Sequence, residues 1–396
     1  MFKNWLSFGM AAYHTPGFQD TSRLMTRGFH GEVMYVEPSR SLFHEKKFKG
    51  TLWSWKSCKM GEHNTILTPP FSIPKKLEIL STALKRQIKN LDDELSNHWG
   101  HNWRNETVVY VTNWTPYQYR VIERLNPQHV IFDCVDDVLS FPYGWNREEV
   151  VTAWRRLAAL SSSVLAVSPT LRNQMEALLN QPVVLLPNGV DAELFMNPSS
   201  EVPTGLERNG NQVRVGFAGT LNHWIDFDAM LSIVDTFPEV TLFLLGKEGQ
   251  MAGERHAQSY RRLLEHGHVR YLGAVPYEDL PEYLHALDIL LLPRISSKAS
   301  TSSNPLKLLE YLAVGKPIVV GGVPVTSDLN RLVYTTNEKI TFQEAFRNAL
   351  VEVHNPSKSR VMDRQAYALS RTWDQRVKRA LSSALPAYTL PVGANQ

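Results

Sequence analysis

The sequence predicts an α/β protein made of two doubly wound domains, each built on a parallel sheet. Short apolar runs alternate with longer amphipathic segments, which is the pattern of buried strands followed by covering helices. The alternation stops at 197–212, a stretch rich in Pro, Ser, Gly and Asn, and then begins again. The 396 residues also suit two domains of about 100–200 residues each. We therefore predict domains over 1–196 and 213–360, joined by a linker over 197–212.

Each predicted strand is a short run of mostly aliphatic and aromatic residues bounded by polar or turn-forming residues. In the first domain we predict strands at 5–9, 33–36, 108–112, 130–134, 164–167 and 183–186, and helices at 77–95 and 148–160. In the second domain we predict strands at 213–218, 240–245, 269–272, 289–292 and 318–320, and helices at 226–236, 277–286 and 305–313. A last helical pattern at 361–384 carries Trp373, and we expect residues 361–396 to return to the first domain.

Composition argues against several classes of function. The formal net charge of +3 is too small for a chain whose whole surface binds nucleic acid, and no nucleic-acid-binding module is recognisable. Cys58 and Cys134 form neither a CxxC motif nor a Cys/His cluster, so no zinc site is predicted and a reducing compartment is favoured. Residues 1–14 do not resemble a secretory signal, and no stretch has the ~20 apolar residues of a spanning helix. We expect a cytoplasmic protein whose membrane contact would be peripheral.

The most informative segment is SNPLKLLEYLAVGKP, which starts at Ser303 and predicts a short helix after a loop. We expect Asn304 to cap the helix, the proline after it to occupy the first position, and Gly315 to end it. Lys307 then lies in the first turn, where backbone N–H groups and the helix dipole attract a phosphate. Glu310 lies on the same side and can accept hydrogen bonds from ribose hydroxyls. The alternative is a capped surface helix with a Lys–Glu pair.

This segment, continued through 318–320, resembles the donor-binding helix of glycosyltransferases with the GT-B fold. The nearest resemblance is to bacterial cell-surface polysaccharide transferases of the teichuronic-acid-biosynthesis type. Four other segments resemble the same family in the same order, namely VIFDCVDDVLSF, VVLLPNGVDAELF, VRVGFAGTLNHWIDFDAM and VRYLGAVPYEDLPEYLHALDILLLP. The resemblance covers roughly 108–320. It implies two Rossmann-like domains facing each other across a cleft, with the nucleotide held by the second domain and the acceptor mainly by the first.

The resemblance also implies roles for residues of the second domain. It assigns Lys307 to the donor diphosphate and Glu310 to the ribose. We also predict that Asn304, at the start of the donor helix, belongs to the donor site. It assigns the loop that contains Tyr271 and Val275 to the base.

One position departs from the family pattern. Many retaining members carry another glutamate eight positions before the ribose-binding one, and Ser302 occupies that position here. The contact that this glutamate makes with a sugar hydroxyl would therefore have to come from another residue.

A second part of the predicted donor site follows the first strand of the second domain. Gly219 and Thr220 lie at a strand-to-helix turn, where a glycine lets the backbone approach a phosphate. Asn222 and Asp226 follow at the edge of the parallel sheet, where ligands bind. The alternative for Asp226 is that it caps the next helix, and His223 between them reads as a loop histidine.

Candidate catalytic residues lie in the first domain. Asp133, Asp136 and Asp137 close one predicted strand, and crowding there can raise the pKa of Asp136 or Asp137 into the range of a general base. An inverting transferase needs such a base to deprotonate the acceptor hydroxyl. The alternative is that one carboxylate caps a helix and the others are solvated. By the resemblance, His14 lies near the acceptor and the transferred sugar, with an exposed loop histidine as the alternative.

Basic and aromatic residues alternate between 44 and 89. Such a mixture suits an anionic membrane surface, which would serve a lipid-linked acceptor. The alternative is a solvated basic face with the aromatic residues packed inward. The residues are Lys46, Lys47, Phe48, Lys49, Trp53, Trp55, Lys56, Lys59, Lys75, Lys76, Lys85, Arg86 and Lys89.

These observations together predict a metal-independent glycosyltransferase that uses a nucleotide sugar, with UDP favoured over GDP or dTDP. Its acceptor would be a glycan or a lipid-linked glycan. Lys307 and the helix amides would stabilise charge on the leaving nucleotide, which is the role that a metal ion plays elsewhere. Two alternatives are a sugar-nucleotide 2-epimerase on the same fold and a non-catalytic nucleotide-binding scaffold protein, the latter kept open by Ser302.

Overall fold

The computed structural model describes residues 2–15, 20–39, 54–70, 80–112, 115–141, 145–198, 202–207, 210 and 212–385. The chain forms two compact α/β units. The first comprises Met1–Pro187 together with Trp373–Gln396, and the second comprises Asn188–Thr372. Each unit contains one largely or wholly parallel sheet with helices packed on it, so the predicted fold class is confirmed.

The sheet of the first unit has β1 at its centre. Its strands are β1 (Asn4–Phe8), β2 (Glu32–Val36), β3 (Lys56–Met60), β4 (Asn64–Thr68), β5 (Thr107–Val111), β6 (His129–Cys134), β7 (Ser163–Ala166) and β8 (Val184–Leu185). Their order across the sheet is β3-β4-β2-β1-β5-β6-β7-β8, and only β3 and β4 pair antiparallel. The sequence analysis missed this hairpin because β3, KSCKM, is an exposed edge strand without apolar alternation.

Three helices of the first unit begin at a residue whose side chain caps them. The helices that precede β8 are α1 (Thr21–Thr26), α2 (Leu80–Trp99), α3 (Trp103–Glu106), α4 (Pro116–Leu125), α5 (Arg147–Leu160) and α6 (Pro169–Leu179). The three capped helices are α1, α5 and α6. The side chain of Asn146 accepts a hydrogen bond from Glu149 N at 3.1 Å, and that of Ser168 accepts one from Leu171 N at 3.1 Å. Both bonds satisfy backbone donors that a helix start leaves unpaired.

The second unit has the strand order of a dinucleotide-binding fold. Its strands are β9 (Val213–Ala218), β10 (Val240–Leu245), β11 (Val269–Gly273), β12 (Ile289–Pro293), β13 (Ile318–Gly321) and β14 (Tyr334–Thr335). All are parallel, in the order β11-β10-β9-β12-β13-β14. The chain reverses its direction of winding between β9 and β12, and open α/β sheets bind ligands outside the carboxyl ends of their strands at such a switch point.

The helices of the second unit include the predicted donor helix. They are α7 (Ala192–Met196), α8 (Phe227–Thr236), α9 (Glu254–Glu265), α10 (Leu280–Ala286), α11 (Lys298–Ser302), α12 (Leu306–Val314), α13 (Ser327–Asn330), α14 (Phe342–His354) and α15 (Lys358–Leu369). The predicted donor helix is α12, and it ends at Gly315, whose φ of +84° is the left-handed conformation that glycine adopts without strain.

The prediction of a single helix over 361–384 is wrong. The structure has two helices there, α15 in the second unit and α16 (Trp373–Ala384) in the first. Between these two helices, Val190 N donates to Arg371 O at 2.9 Å, which joins the connection to the start of the second unit. No helix among the described residues is long and apolar enough to cross a bilayer.

The boundary between the units differs from the predicted one. Residues 188–212 were predicted to end the first domain and form a linker, but those that the structure describes belong to the second unit. Phe195 is fully buried and its ring lies 5.5 Å from that of Tyr277. Arg214 Nη1 donates to Leu206 O at 2.9 Å. Such contacts fasten the segment to the second unit despite its linker-like composition.

Candidate functional site

The carboxyl ends of β9, β10 and β11 lie side by side and carry the first predicted donor residues. Gly219 N donates to Leu245 O at 2.8 Å, and Gly246 N donates to Gly273 O at 2.7 Å. Gly219 and the half-buried Thr220 therefore lie at the ligand-binding edge of the sheet, beside the switch point.

The polar residues of the next loop shape its turn. Asn222 is buried, and its Oδ1 accepts from Trp224 N at 3.4 Å. Asp226 Oδ1 accepts from Ala229 N at 2.9 Å, so Asp226 has the capping role that was the alternative to a donor contact.

His223 lies in the same loop. Burial lowers the pKa of His223 from its ordinary value of 6.5. A hydrogen bond to Gln250 acts to raise this pKa, whereas electrostatic interactions with His256 and Arg294 lower it further. The lowered pKa leaves the imidazole neutral at pH 7, so His223 adds no positive charge to this edge.

The start of α12 holds an ion pair. Lys307 Nζ lies 3.1 Å from Glu310 Oε2, and the two side chains are 19% and 3% exposed. The Lys–Glu pair is therefore present, but Glu310 is buried rather than on a solvated surface. A carboxylate in this setting can accept hydroxyl hydrogen bonds while its charge is balanced by the lysine.

The prediction that Asn304 caps this helix is wrong. Pro305 is the N-cap residue and makes no side-chain capping bond. Asn304 is engaged by Asn188 instead, because Asn188 N donates to Asn304 Oδ1 at 2.8 Å and Asn188 Nδ2 donates to Asn304 O at 2.7 Å. These two bonds fix the segment that leads into α12.

The loop predicted to hold the base follows β11. Tyr271 is 40% exposed, and its hydroxyl donates to Gly246 O at 2.9 Å. Desolvation, followed by the charge of Glu248, raises the pKa of Tyr271, so the phenol stays protonated at neutral pH. Val275 is half-buried against an apolar cluster of the same unit.

The three aspartates of the first unit have different surroundings. Asp133 is fully buried, with its carboxylate 2.6 Å from Arg376 Nη2 and hydrogen-bonded to the hydroxyl of Tyr110, which is a structural role. Asp137 is 5% exposed and accepts a hydrogen bond of 2.5 Å from Ser140 Oγ within the short 3-10 turn Val138–Ser140. Asp136 is half-buried.

The loop after β1 is held by a buried carboxylate. Asp20 Oδ2 accepts from Met10 N at 2.8 Å, from Ala11 N at 3.1 Å and from the hydroxyl of Tyr35 at 2.7 Å. His14 lies beyond this anchored part of the loop and is exposed, with its ring 5.3 Å from that of the preceding tyrosine.

Part of the basic and aromatic region lies outside the described residues, namely Lys46, Lys47, Phe48, Lys49, Trp53, Lys75 and Lys76. Within the described part, Trp55 packs inward and its Nε1 donates to Gln87 O at 2.8 Å. Lys85, Arg86 and Lys89 are exposed on α2, and Lys89 pairs with Asp93. These residues have the arrangement of a solvated basic face.

Comparison with known proteins finds a family match for the part of the chain that contains the carboxyl edge of the second unit's sheet. Residues 212–353 match the sequence model of the group 1 glycosyl transferases. The matched region spans β9 to α14 and thus contains Gly219, Lys307 and Glu310.

A curated relative of this chain is TuaH of Bacillus subtilis, which is named as a glycosyltransferase of teichuronic acid biosynthesis. The two chains are 25% identical over 213 residues, which is 51% of this chain and 52% of TuaH. The chain thus matches about half the length of this relative.

Two solved structures share the GT-B fold over nearly the whole chain. Sucrose-phosphate synthase of Thermosynechococcus elongatus has a TM-score of 0.67 at 12% identity and covers 98% of this chain and 100% of its own. HepE of Anabaena, solved in complex with UDP and glucose, has a TM-score of 0.64 at 15% identity and covers 97% and 100%.

Two further observations bear on the chemistry of the candidate site. Ser302 is completely buried at the end of α11, so its side chain is not open to a ligand in this conformation. Across the described parts of the chain, no group of three or more His, Cys, Asp or Glu residues is arranged to hold a metal ion.

Two residues at the edge of the sheet were missed by the sequence analysis. Tyr311 was assigned only as an apolar helix position, but its hydroxyl accepts from Ala218 N at 2.9 Å at the end of β9. Arg294 follows β12 directly. A charged residue immediately after a buried parallel strand was the signal that could have identified it.

Proposed function

We propose that this protein transfers a sugar from a nucleoside-diphosphate sugar, with UDP as the favoured nucleotide, to a hydroxyl group of a glycan or lipid-linked acceptor. The observation that carries the proposal is the start of α12, where Lys307 and the buried Glu310 lie together. The match to group 1 glycosyl transferases covers these residues. The UDP and glucose in the HepE complex support the choice of nucleotide.

The donor site has a separate residue for each part of the nucleotide. The N-terminal amides of α12 and the Lys307 ammonium would hold the diphosphate, since both present positive charge to an anion. Glu310 would accept hydrogen bonds from the ribose hydroxyls, and the loop with Tyr271 and Val275 would hold the base. Gly219, Thr220, Asn222 and Asn304 would form the phosphate and sugar side of the site, with Asp226 holding the start of α8 behind them.

The reaction exchanges one bond at the anomeric carbon for another. The bond from this carbon to the β-phosphate oxygen breaks, and the acceptor oxygen forms the new bond while it loses its proton. Lys307 and the helix amides would stabilise charge that grows on the leaving diphosphate, in a reaction with oxocarbenium-like character at the sugar.

A general base for the acceptor would come from the first unit. Asp136 is a better candidate than Asp137, because Asp136 is half-buried whereas Asp137 is buried and engaged by Ser140. The exposed His14 would contact the acceptor or the transferred sugar.

We also propose that the protein works in the cytoplasm at the inner face of a membrane. Lys85, Arg86 and Lys89 on the exposed side of α2 would attract anionic lipid headgroups and so bring the enzyme to a lipid-linked acceptor.

The test is a thermal-shift screen with UDP, GDP, dTDP, CMP and ADP on the wild-type protein and on Lys307→Ala. A ligand at 100 times its Kd stabilises the folded protein by about 2.7 kcal/mol. We expect one nucleoside diphosphate to raise the melting temperature of the wild type and to have little effect on Lys307→Ala. Lys358→Ala is the matched control, since Lys358 is an exposed lysine in the first turn of α15.

Asp136→Asn separates binding from transfer. It should bind the nucleotide like the wild type, because the proposed nucleotide site lies in the second unit, and it should lose transfer of the sugar. No thermal shift of the wild type with any nucleotide would overturn the proposal, and an equal loss in the Lys358 control would overturn the role of Lys307.

A further inference from the structure

We infer that Arg294 is a second diphosphate-binding residue of the donor site, acting beside Lys307. This inference rests on the proposed function. It comes from the position of Arg294 between the two loops that frame the switch point, the loop after β9 and the loop before α12.

The backbone of Arg294 is fastened to the loop after β9. Arg294 and Ile225 form an isolated antiparallel bridge. On its two sides, Asp226 N donates to Pro293 O at 2.8 Å and Ile295 N donates to Trp224 O at 2.9 Å. The chain that leaves β12 is thus tied to the residues that follow Gly219 and Thr220.

The side chain of Arg294 touches both loops. Its guanidinium carbon lies 5.4 Å from the centre of the Trp224 ring, and its Nη1 donates to Ser303 Oγ at 3.3 Å. Ser303 lies four residues before Lys307, just ahead of α12. The guanidinium therefore lies beside the loop that leads into the α12 N-terminus, the proposed phosphate site.

A glycine allows this placement. Gly322 has φ +70°, and a Cβ atom there would lie 1.8 Å from Arg294 O. Arg294 N also donates to Gly321 O at 3.1 Å. The close passage of the two backbones fixes where the arginine leaves the sheet, and only glycine fits at 322 without moving one of them.

Charge balance calls for this second cation. Part of the positive charge of Lys307 is balanced by its pairing with Glu310, and the lowered pKa of His223 leaves that ring neutral. A diphosphate carries more than one negative charge. Arg294 supplies a permanent positive charge, and its planar guanidinium can donate two parallel hydrogen bonds to phosphate oxygens. Contact with the Trp224 ring would hold this plane in a fixed orientation.

The test compares each diphosphate with its own nucleoside. UDP, GDP and dTDP are titrated by calorimetry, and uridine, guanosine and thymidine are measured by competition, on the wild type, Arg294→Gln and Arg294→Lys. For the diphosphate that binds the wild type, we expect Arg294→Gln to weaken affinity about 10- to 100-fold, as for loss of hydrogen bonds to a charged group. Affinity for the nucleoside should stay unchanged, because it has no phosphate. The diphosphate affinity of Arg294→Lys should lie between those of the wild type and Arg294→Gln, since lysine keeps the charge but not the paired donors.

Arg347→Gln is the matched control. Arg347 is also an arginine beside an aromatic ring of the same unit, with its guanidinium carbon 5.7 Å from the Phe237 ring centre, but Phe237 lies just before β10 at the opposite edge of the sheet. This variant should bind the diphosphate like the wild type.

Each other outcome overturns the inference. If Arg294→Gln binds the diphosphate like the wild type, Arg294 does not contact it, and the proposed function stands. If Arg294→Gln loses affinity for the diphosphate and for the nucleoside equally, Arg294 has only a structural role. If Arg294→Gln does not fold, Arg294→Lys decides by the same comparison. If the wild type binds none of UDP, GDP and dTDP, the inference fails together with the proposed donor site.

Discussion

The buried ion pair between Arg376 and Asp133 gives the sharpest prediction about stability. Arg376 lies on α16 and Asp133 on β6, and their side chains are 2% and 0% exposed. The guanidinium also donates to Pro187 O at 2.9 Å and to Leu186 O at 3.2 Å. One arginine therefore joins α16 to the sheet and to the residues at which the chain first leaves the first unit.

We predict that Arg376→Met destabilises the first unit by about 3–5 kcal/mol, because removing one partner of a buried pair leaves an uncompensated charge. Asp133 would keep only the hydroxyl of Tyr110 among the partners described above. For a domain of 150–250 residues, each kcal/mol corresponds to about 2–4 °C in melting temperature. The expected drop is therefore roughly 6–20 °C.

Thermal unfolding and hydrogen exchange together measure this effect. Amides of β6 and α16 should lose protection, whereas those of β9 and β12 should keep it, because they belong to the second unit. Arg379→Met is the matched control, since Arg379 is exposed on the same helix. It should change the free energy of unfolding by no more than a surface substitution does, about 0.5 kcal/mol.

A double substitution tests the reasoning itself. Arg376→Met combined with Asp133→Leu removes both charges, so it should be more stable than Arg376→Met alone. If the single variant loses less than about 1 kcal/mol, or the double variant is the less stable of the two, an uncompensated Asp133 charge is not the cause.

Two further predictions concern the second unit. Tyr311→Phe should destabilise the second unit by about 1–3 kcal/mol, because Ala218 N loses its acceptor inside the protein. Urea unfolding measures this loss, with Tyr283→Phe on α10 as the control. Equal losses of stability in the two variants would refute the role of the Tyr311 hydroxyl. Burial raises the pKa of Glu352, but hydrogen bonds and charge from Arg364 outweigh it and hold that pKa below its ordinary value of 4.5. Glu352 therefore stabilises the fold above pH 4.5, and this contribution is lost as the pH falls through the lowered pKa. The difference in melting temperature between wild type and Glu352→Gln should narrow from pH 7 to about pH 3, and a constant difference would contradict the assignment.

The sequence by itself determined eleven of the strands and the donor helix. Every predicted strand is present with its ends within one residue. Most of them are buried on both faces, and such a strand is a continuous apolar run that few other structures tolerate. The ends of α12 are likewise within one residue of those predicted, because its apolar spacing and Gly315 define its length. The hairpin of β3 and β4 was missed because an exposed edge strand is not required to be apolar.

Tertiary structure alone decided which polar residues meet. Asn304 is a residue type that commonly caps helices, yet it is hydrogen-bonded instead to Asn188, 116 residues earlier in the chain, which donates two hydrogen bonds to it. Asp133 resembled its two neighbouring aspartates until Arg376, 243 residues later, paired with it inside the first unit. Arg294 gained its place from two loops that meet only when the sheet has formed. Burial follows from local composition, whereas a hydrogen bond or ion pair depends on a partner that only the folded chain supplies.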